Sequence, residues 1–204
     1  MTLPPPTPRA KLELETVTGE EAQAALPDLA RLRIEVFREF PYLYDGDEAH
    51  ERDYLQTYVR VKGAAIVLAR IGERIVGAAT CLPLSAETQA VKTPFLEAGI
   101  DISDIFYFGE SVLEKAYRGR GLGVGFFVAR ERQARAYGAT LAAFCAVQRP
   151  ASHWLRPDGY QPLDGFWTKR GFTRREDLVC QMSWRDVDEA AASTKNLTFW
   201  TKRL

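Results

Sequence analysis

The stretch Arg118-Gly119-Arg120-Gly121-Leu122-Gly123-Val124-Gly125 is the most informative part of this sequence. Residues 105–113 before it alternate in the pattern of a strand, and residues 121–137 after it carry an apolar stripe at helical spacing. Four glycines within seven residues let backbone amides approach a ligand without a Cβ in the way. The start of the helix adds free N–H groups and roughly half a positive charge, and the two arginines add full charges. The stretch therefore predicts a pyrophosphate-binding loop.

Two common nucleotide-binding motifs do not fit this loop. The dinucleotide fingerprint G-x-G-x-x-G has no start position in it, and no acidic residue occurs between Glu131 and Asp158. A P-loop needs a Gly-Lys pair, which the chain does not contain. The pattern that matches is R-x-x-G-x-G, at Arg118, Gly121 and Gly123. The alternative is a tight turn with a solvated basic surface, but a turn requires fewer glycines.

The remaining chain predicts strands and helices in mixed order. Proline suits the first turn of a helix, so a first helix is predicted to begin at Pro27, and a second is predicted over residues 48–61. Residues 85–104 have no clear period and predict either a long loop, which would suit a lid, or a short helix around Phe95. The order is β, α, α, a β meander, and then β-α-β-α-β-β, which predicts a mixed sheet with helices on its faces.

The loop pattern resembles that of the Gcn5-related N-acetyltransferases, the GNAT superfamily. Residues 118–123 resemble the acyl-CoA pyrophosphate loop of that superfamily, and Glu110-Ser111-Val112-Leu113 resembles the end of its preceding strand. Phe166-Trp167-Thr168-Lys169-Arg170-Gly171-Phe172 resembles its late helix signature, Ala-x-x-x-Tyr-x-x-x-Gly-Phe. The resemblance covers roughly residues 12–184.

This resemblance implies an α/β fold of the α+β type. Its central sheet would be mixed and mainly antiparallel, splayed at the cofactor cleft, with helices on both faces. Acetyl-CoA would lie in the split of the sheet, and its pantetheine would pair with the backbone of Ser111, Val112 and Leu113. The pyrophosphate would contact the backbone of Arg118, Gly119, Arg120, Gly121, Leu122, Gly123 and Val124.

Glu110 is the first candidate for a catalytic base. Acyl transfer to an amine needs the neutral amine, and a lysine-like amine with a pKa of about 10.4 is only about 0.1% neutral near pH 7.4. A positioned base supplies much of this deficit. Glu110 lies just before the loop, where the superfamily often places a base, and the alternative is a strand glutamate that faces solvent. Glu87, at the end of a predicted hairpin, is a weaker candidate.

Tyr160 is the candidate proton donor to the departing CoA thiolate. The superfamily often has a tyrosine for this step at the position of Trp167, whose indole N–H is not a usable acid. Tyr160 lies seven residues upstream in an irregular segment. The alternative is a loop aromatic that covers the core. His153 is expected to be structural or to contact the acceptor.

The resemblance places the acceptor pocket at residues 40–47 and 149–164. The first segment is aromatic and acidic, which suits a cationic or amphipathic amine. Local packing with a solvated acidic turn is an equal alternative. The predicted acceptor-binding residues are Phe40, Tyr42, Tyr44 and His153.

Length and charge limit the other possibilities. The chain has 204 residues, with 27 Lys+Arg and 27 Asp+Glu. This balance argues against a nucleic-acid partner, and no uncharged run reaches the ~18 residues of a membrane span, which argues against a membrane partner. Residues 1–9 are Pro-rich and predict a disordered lead-in rather than a signal peptide, and residues 10–204 predict a single domain. A monomer or a homodimer is expected.

The cysteines and histidines predict a reducing compartment without a metal site. Cys81, Cys145 and Cys180 are widely spaced within apolar runs, as core thiols are. His50 and His153 do not lie in a metal-spaced cluster. A cytoplasmic protein is therefore expected.

The resemblance thus implies an N-acetyltransferase. It would move the acetyl group of acetyl-CoA to a primary amine, most simply of a small molecule, by direct attack in a ternary complex. Two alternatives stay open. One is a non-catalytic domain that binds or senses acyl-CoA, which the missing tyrosine favours, and the other is a protein-lysine acetyltransferase.

Overall fold

The structure is a computed structural model that describes residues 11–204, so the predicted lead-in lies outside the described residues. The strands are β1 (Leu12–Val17), β2 (Ala65–Ile71), β3 (Arg74–Pro83), β4 (Ile105–Leu113), β5 (Leu141–Val147), β6 (Thr173–Trp184) and β7 (Ser193–Arg203). The helices are α1 (Gly19–Phe37), α2 (Glu48–Leu55), α3 (Thr57–Arg60), α4 (Gln89–Glu97), α5 (Leu122–Tyr137) and α6 (Asp164–Thr168). Among the helices of this described part, none is long and apolar enough to cross a membrane.

The seven strands form one sheet in the order β1-β2-β3-β4-β5-β7-β6. All neighbouring strands are antiparallel except β4 and β5, which are parallel. The parallel pair holds only from Ile105 opposite Leu141 to Tyr107 opposite Ala143. Beyond these residues the two strands diverge, and a cleft opens between their carboxyl-terminal halves. The prediction of a mixed, mainly antiparallel and splayed sheet is confirmed.

Helices cover both faces of the sheet. In β2, Ile66 and Leu68 pack in the core cluster that contains buried residues of α1, whereas Val67 and Ala69 pack with α5. Successive side chains of a strand point to opposite faces, so an apolar run such as β2 is buried on both sides. This explains why residues 65–69 of β2 are all apolar. It also fixes α5, and with it the loop before α5, against the first four strands.

The first helix begins earlier than predicted. α1 starts at Gly19 and contains Pro27 in its interior, so the predicted start at Pro27 is wrong. Glu20 and Glu21 lie in the first turn, where the helix dipole favours acidic side chains, and good helix formers follow them. Burial of Leu26 and its neighbours offsets the hydrogen bond that the proline cannot make. The helix ends at Phe37, close to the predicted end.

The second predicted helix, over residues 48–61, is interrupted. α2 and α3 are separated by Gln56, whose φ of −57° and ψ of −24° remain helical. The prediction of one continuous helix is therefore wrong, but the face that carries Leu55 and Tyr58 is preserved and buried. The Tyr54 and Tyr58 hydroxyls lie 3.0 Å apart along it.

Residues 85–104 contain α4, so the helical alternative holds and the long-loop prediction is wrong. Val91 and Phe95 are buried in the core, and the Phe95 ring lies 4.8 Å from that of Phe199. Within the described chain, no residue of 85–104 lines the cleft between β4 and β5. The structure thus places this segment in the core and gives no support to a lid.

Candidate functional site

The split between β4 and β5 opens into a cleft of about 1250 Å³. Its walls come from the end of β4, the start of α5, the end of β5, residues 148–167 and the middle of β7. The predicted site residues that line it are Phe40, Tyr42, Glu110, Ser111, Leu113, Arg118, Gly119, Gly121, Gly123, Val124 and Tyr160. Those outside its lining are Tyr44, Val112, Arg120, Leu122 and His153.

The glycine loop needs its glycines for conformation. Gly119 and Gly121 have φ of 77° and 84°, a region that other residues rarely adopt. A Cβ added at either position would meet no atom within 4 Å, so nothing but open space faces them. Gly123 serves packing instead, because a Cβ there would lie 3.3 Å from the Phe166 ring of α6. The glycine loop at residues 118–123 and the late helix signature at residues 166–172 thus pack against each other.

The two loop arginines do not present free charges to the cleft. Arg118 donates two hydrogen bonds to the Glu39 carboxylate, at 2.7 and 3.0 Å, and one to the Leu113 carbonyl at 3.0 Å. Arg120 donates to a carbonyl of the preceding turn and lies over the Tyr117 ring. The attraction of this loop for an anion therefore comes mainly from backbone N–H groups and the start of α5.

Val112 and Leu122 point into the core. Val112 is fully buried on β4, and Leu122 packs in the cluster of α5 with the sheet. Only the backbone of these two residues is free to contact a ligand. The resemblance implies backbone contacts for both of them. Ser111 and Leu113 flank Val112 on the strand and line the cleft.

A β-bulge turns Glu110 into the cleft. Gly109 and Glu110 of β4 lie opposite Thr80 alone on β3, where the register of the two strands shifts. The Glu110 amide donates to Thr80 Oγ1 at 3.2 Å. A Cβ at Gly109 would stand 2.4 Å from Tyr58 Oη and 2.5 Å from Thr80 Oγ1, so only glycine fits there. A glycine inside a strand, as at Gly109, is the sequence signal for such a bulge.

Arg130 supports the bulge from α5, a role that the sequence did not reveal. Its buried guanidinium donates to the carbonyls of Thr80 and Glu110, at 3.5 and 3.4 Å. The same group lies over the rings of Phe108 and Phe127, 4.6 and 4.8 Å from their centroids. Burial lowers the pKa of Arg130 to about 10. Arg130 supplies hydrogen bonds to carbonyls at the point where the sheet register is disturbed.

Glu110 itself is buried at the cleft wall, with 6% of its surface exposed, so the solvent-facing alternative is wrong. Its Oε2 forms a salt bridge with Arg33 Nη1 at 2.6 Å and accepts a hydrogen bond from the Tyr54 hydroxyl at 3.3 Å. Its Oε1 is buried and has no hydrogen-bond partner among residues 11–204. Burial raises the pKa of Glu110, Arg33 opposes this rise, and the nearby charge of Glu51 adds to it. The net result is a carboxyl with a raised pKa at the edge of the cleft.

The contacts of Arg33 come from distant parts of the chain. Its Nε donates to the Glu51 carboxylate, and its guanidinium lies 4.6 Å from the centroid of the Tyr54 ring. Burial alone would lower the pKa of Arg33, but the charges of Glu110 and Glu51 raise it overall. No local sequence pattern links Arg33 with Glu51, so sequence reasoning missed both.

Tyr160 and Phe40 form an aromatic wall of the cleft. Their rings meet edge to face at 4.8 Å, and the Arg156 guanidinium lies 5.0 Å from the Tyr160 centroid. Burial raises the pKa of Tyr160, and the charge of Arg156 opposes this rise. His153 lies behind this wall, with its ring 5.7 Å from that of Phe40.

The loop that carries Phe40 and Tyr42 is held in place by buried polar groups. Arg149 donates to the carbonyls of Pro41 and Tyr42, each at 2.7 Å, and to both oxygens of Asp186 at 2.7 and 2.9 Å. The Trp184 indole donates to the Tyr42 carbonyl at 3.1 Å. This side of the cleft is therefore rigidly connected to the last strands.

Two other candidates lie beside the cleft rather than in its lining. Tyr44 forms a strand-like bridge with Asp186, and burial together with the charge of Glu51 raises its pKa to about 12. Glu87 is buried and accepts from the Thr88 amide at 2.9 Å, and burial raises its pKa. Both face the groups that surround Glu110 and not the open cleft.

Trp167 fills the place of the tyrosine that the resemblance implies. It lines the cleft, and its ring packs at 5.1 Å against Phe144 and at 5.2 Å against Trp200. These contacts make it part of the aromatic cluster under α6.

Comparisons with known proteins support the architecture. No protein-family model matches the sequence, and a search of curated proteins returns no significant match. The ribosomal-protein-alanine N-acetyltransferase from Brucella melitensis is similar in structure, with a TM-score of 0.62 at 14% identity over 95% of this chain and 100% of that one. The acetyltransferase of the GNAT family from Streptococcus pneumoniae has a TM-score of 0.58 at 14% identity over 95% and 100%.

The structure of yncA from Salmonella typhimurium, solved with its cofactor acetyl-CoA, has a TM-score of 0.58 at 15% identity over 95% of this chain and 94% of that one. All three similarities extend over nearly the whole chain. At this level of identity they establish the architecture. The chain therefore has the fold of the GNAT acetyltransferases.

Proposed function

We propose that this protein is an N-acetyltransferase that moves the acetyl group of acetyl-CoA to a primary amine of a small molecule, by direct attack in a ternary complex. The observation that carries the proposal is the buried carboxylate of Glu110 at the wall of a split sheet, next to the glycine loop. A buried carboxyl with a raised pKa at such a place is suited to accept a proton.

The cleft fits acetyl-CoA. Open space faces Gly119 and Gly121, so a pyrophosphate can approach their amides and the start of α5. The edge of β4 from Phe108 to Leu113 has no strand partner on the β5 side within the described chain, which leaves backbone groups for the pantetheine amides. yncA, which is similar in structure, is solved with acetyl-CoA. When bound, acetyl-CoA supplies the acetyl group as an activated thioester.

Glu110 is proposed to take the proton from the acceptor ammonium, directly or through a water molecule. The scarcity of neutral amine near pH 7.4 corresponds to about 4 kcal/mol, since each pKa unit is worth about 1.4 kcal/mol. A base held at the attack site reduces this deficit. The bulge and Arg33 hold the Glu110 carboxylate in place, so little reorganisation is needed.

Tyr160 is proposed to donate a proton to the departing thiolate. It lines the cleft from the wall that it shares with Phe40. Since a reference thiol has a pKa of about 8.5, a thiolate leaves without much help, and the donor contributes modestly.

The shape of the cleft favours a small acceptor. The loop at Phe40 and Tyr42 is tied to the last strands by Arg149, and residues 148–163 close the other side. An extended peptide would need an open groove at this position. A protein amine is the second candidate, because the similar Brucella melitensis structure bears the name of a ribosomal-protein-alanine N-acetyltransferase. A cytoplasmic location and a monomer or homodimer remain our predictions.

The decisive experiment combines binding and turnover. Calorimetry measures the affinity for acetyl-CoA, and release of free thiol is followed with a panel of small primary amines and of peptides with free lysine or N-terminal amines. Turnover with small amines supports the proposal, and turnover with peptides alone favours the protein acceptor. Tight binding without turnover on any amine would make this an acyl-CoA-sensing domain, which Trp167 in place of a tyrosine would suit.

A further inference from the structure

One guanidinium serves two buried carboxylates beside the cleft. Arg33 on α1 contacts Glu51 of α2 through Nε and Glu110 of β4 through Nη1, the latter at 2.6 Å. The side chains of Glu51 and Glu110 are 0% and 3% exposed. In the part of the chain that the structure describes, Arg33 is the only basic partner of either carboxylate within 4.0 Å. With all three groups ionised, the cluster has one more negative charge than positive charges.

Each carboxylate also has one oxygen without a partner. Oε1 of Glu51 and Oε1 of Glu110 are both buried and accept no hydrogen bond from the described residues. Buried carboxylates normally have both oxygens hydrogen-bonded, because an unpaired buried charge is strongly destabilising. One buried glutamate would be enough to neutralise the charge of Arg33. The second buried glutamate therefore calls for an explanation in terms of the site.

We propose that Glu51 is a positioning residue that keeps Glu110 able to accept a proton, by taking up one side of the Arg33 guanidinium. The inference rests on the proposed function, in which Glu110 is the base. Without Glu51, the whole charge of Arg33 would stabilise the Glu110 carboxylate. With Glu51 in place, that stabilisation is shared, and the negative charge of Glu51 favours protonation of Glu110.

The other groups around Glu110 affect its protonation less than Arg33 and Glu51 do. The tyrosines have pKa values raised by burial and stay neutral at pH 7. Glu87 adds a further carboxyl on the same side, and Arg130 approaches through the Glu110 carbonyl. The groups that face the cluster are Tyr42, Tyr44, Tyr54, Tyr58, Glu87 and Arg130. Arg33 is the basic group that forms an ion pair with Glu110. Its second partner, Glu51, therefore affects the protonation of Glu110 most strongly.

The first test is the pH profile of Glu51→Gln. Glutamine keeps the shape and an acceptor oxygen for Arg33 Nε but removes the charge. The acidic limb of kcat/KM should move down by about one pH unit, because Arg33 then stabilises the Glu110 carboxylate alone. The rate at neutral pH should fall about threefold, since a weaker base is a less efficient one. The affinity for acetyl-CoA should stay unchanged.

Glu48→Gln is the matched control, because Glu48 carries the same charge on the same helix but is exposed. It should leave the acidic limb in place. An acidic limb that stays at the wild-type pH in Glu51→Gln, or moves upward, would overturn the proposal.

A second measurement needs no turnover. Because the pKa of Glu110 is raised in the folded state, its contribution to stability is complete at low pH and is lost as the pH rises through the folded pKa. In urea unfolding between pH 4 and 8, the free energy of unfolding of the wild-type protein should therefore decrease as the pH rises. Glu110→Gln should abolish the part of this decrease that comes from Glu110. When Glu51→Gln is already present, adding Glu110→Gln should abolish a smaller pH-dependent decrease in stability. An equal effect of Glu110→Gln with and without Glu51→Gln contradicts the coupling. If the wild-type protein acetylates no amine, the proposed function fails, and this cycle still decides whether Glu51 acts on Glu110.

Discussion

Gly109→Ala is expected to damage the bulge that presents Glu110. The added Cβ would stand 2.4 Å from Tyr58 Oη and 2.5 Å from Thr80 Oγ1, and real Cβ atoms do not approach other atoms within 3.0 Å. Neither oxygen can retreat easily, because Tyr58 is buried and lies 3.0 Å from the Tyr54 hydroxyl, and Thr80 accepts from the Glu110 amide. The backbone of β4 must therefore move.

The size of the effect follows from overpacking. An extra methyl in a well-packed interior costs about 1–3 kcal/mol. For a domain of this length each kcal/mol lowers Tm by about 2–4 °C, so Tm should fall by about 2–12 °C. A displacement of the base by roughly 1 Å should also lower kcat by about 10²-fold. Differential scanning calorimetry and steady-state rates with acetyl-CoA and an accepted amine measure the two effects.

Gly165→Ala is the control, because a Cβ on this glycine of α6 would meet no atom within 4 Å. It should leave kcat unchanged and stabilise the helix by about 0.5–1 kcal/mol. Adding Tyr58→Phe to Gly109→Ala removes the nearer oxygen and should restore part of the lost Tm. If Gly109→Ala matches Gly165→Ala in both Tm and kcat, the bulge does not position Glu110.

Three further predictions concern the loop, the base and the donor. Gly121→Ala and Gly138→Ala place alanine at φ of 84° and 94° at the two ends of α5, and each should lower the free energy of unfolding by about 1–2 kcal/mol. Only Gly121→Ala should weaken acetyl-CoA binding in calorimetry. Equal affinities of the two variants would refute the loop assignment. Glu110→Gln should lower kcat/KM by about 10²- to 10⁴-fold at neutral pH, and the loss should shrink as the pH rises and free amine accumulates. The wild-type rate itself should fall as the pH drops through the raised pKa of Glu110, and wild-type rates for the variant across pH 6–9 would make Glu110 a bystander. Tyr160→Phe should lower kcat about tenfold or less, mainly below pH ~8.5, and should leave the affinity for acetyl-CoA unchanged, whereas an effect on the KM of the amine alone would make Tyr160 an acceptor contact.

The parts of the site that the sequence predicted are those that lie within short segments. Residues 118–125 hold both the glycines with positive φ and the start of α5, so their geometry is local. Glu110 was identified because it lies eight residues before this loop. The partners of Glu110 were not identified, because Arg33 and Glu51 come from two other helices and meet only after folding.

The errors in the predicted fold have a common cause. Pro27 favours a helix start locally, but Leu26 and Leu29 are buried on the sheet and hold the helix together across it. The sequence of residues 85–104 allows a loop or a helix, because only Val91 and Phe95 of α4 are buried, which is a weak periodic signal. In each case tertiary packing decided what the local pattern left open.

The short parallel pairing of β4 with β5 has a consequence for the solubility of the folded chain. The edge of β4 beyond Tyr107 carries ladder positions that no strand of the described chain fills. Such an edge on an outer strand invites another molecule to add its own strand, which leads to aggregation. Here the edge belongs to a central strand and lies in a cleft walled by the Phe40 loop, α5 and residues 148–167. The fold thus keeps its open edge inside a cleft and away from the outer strands of the sheet.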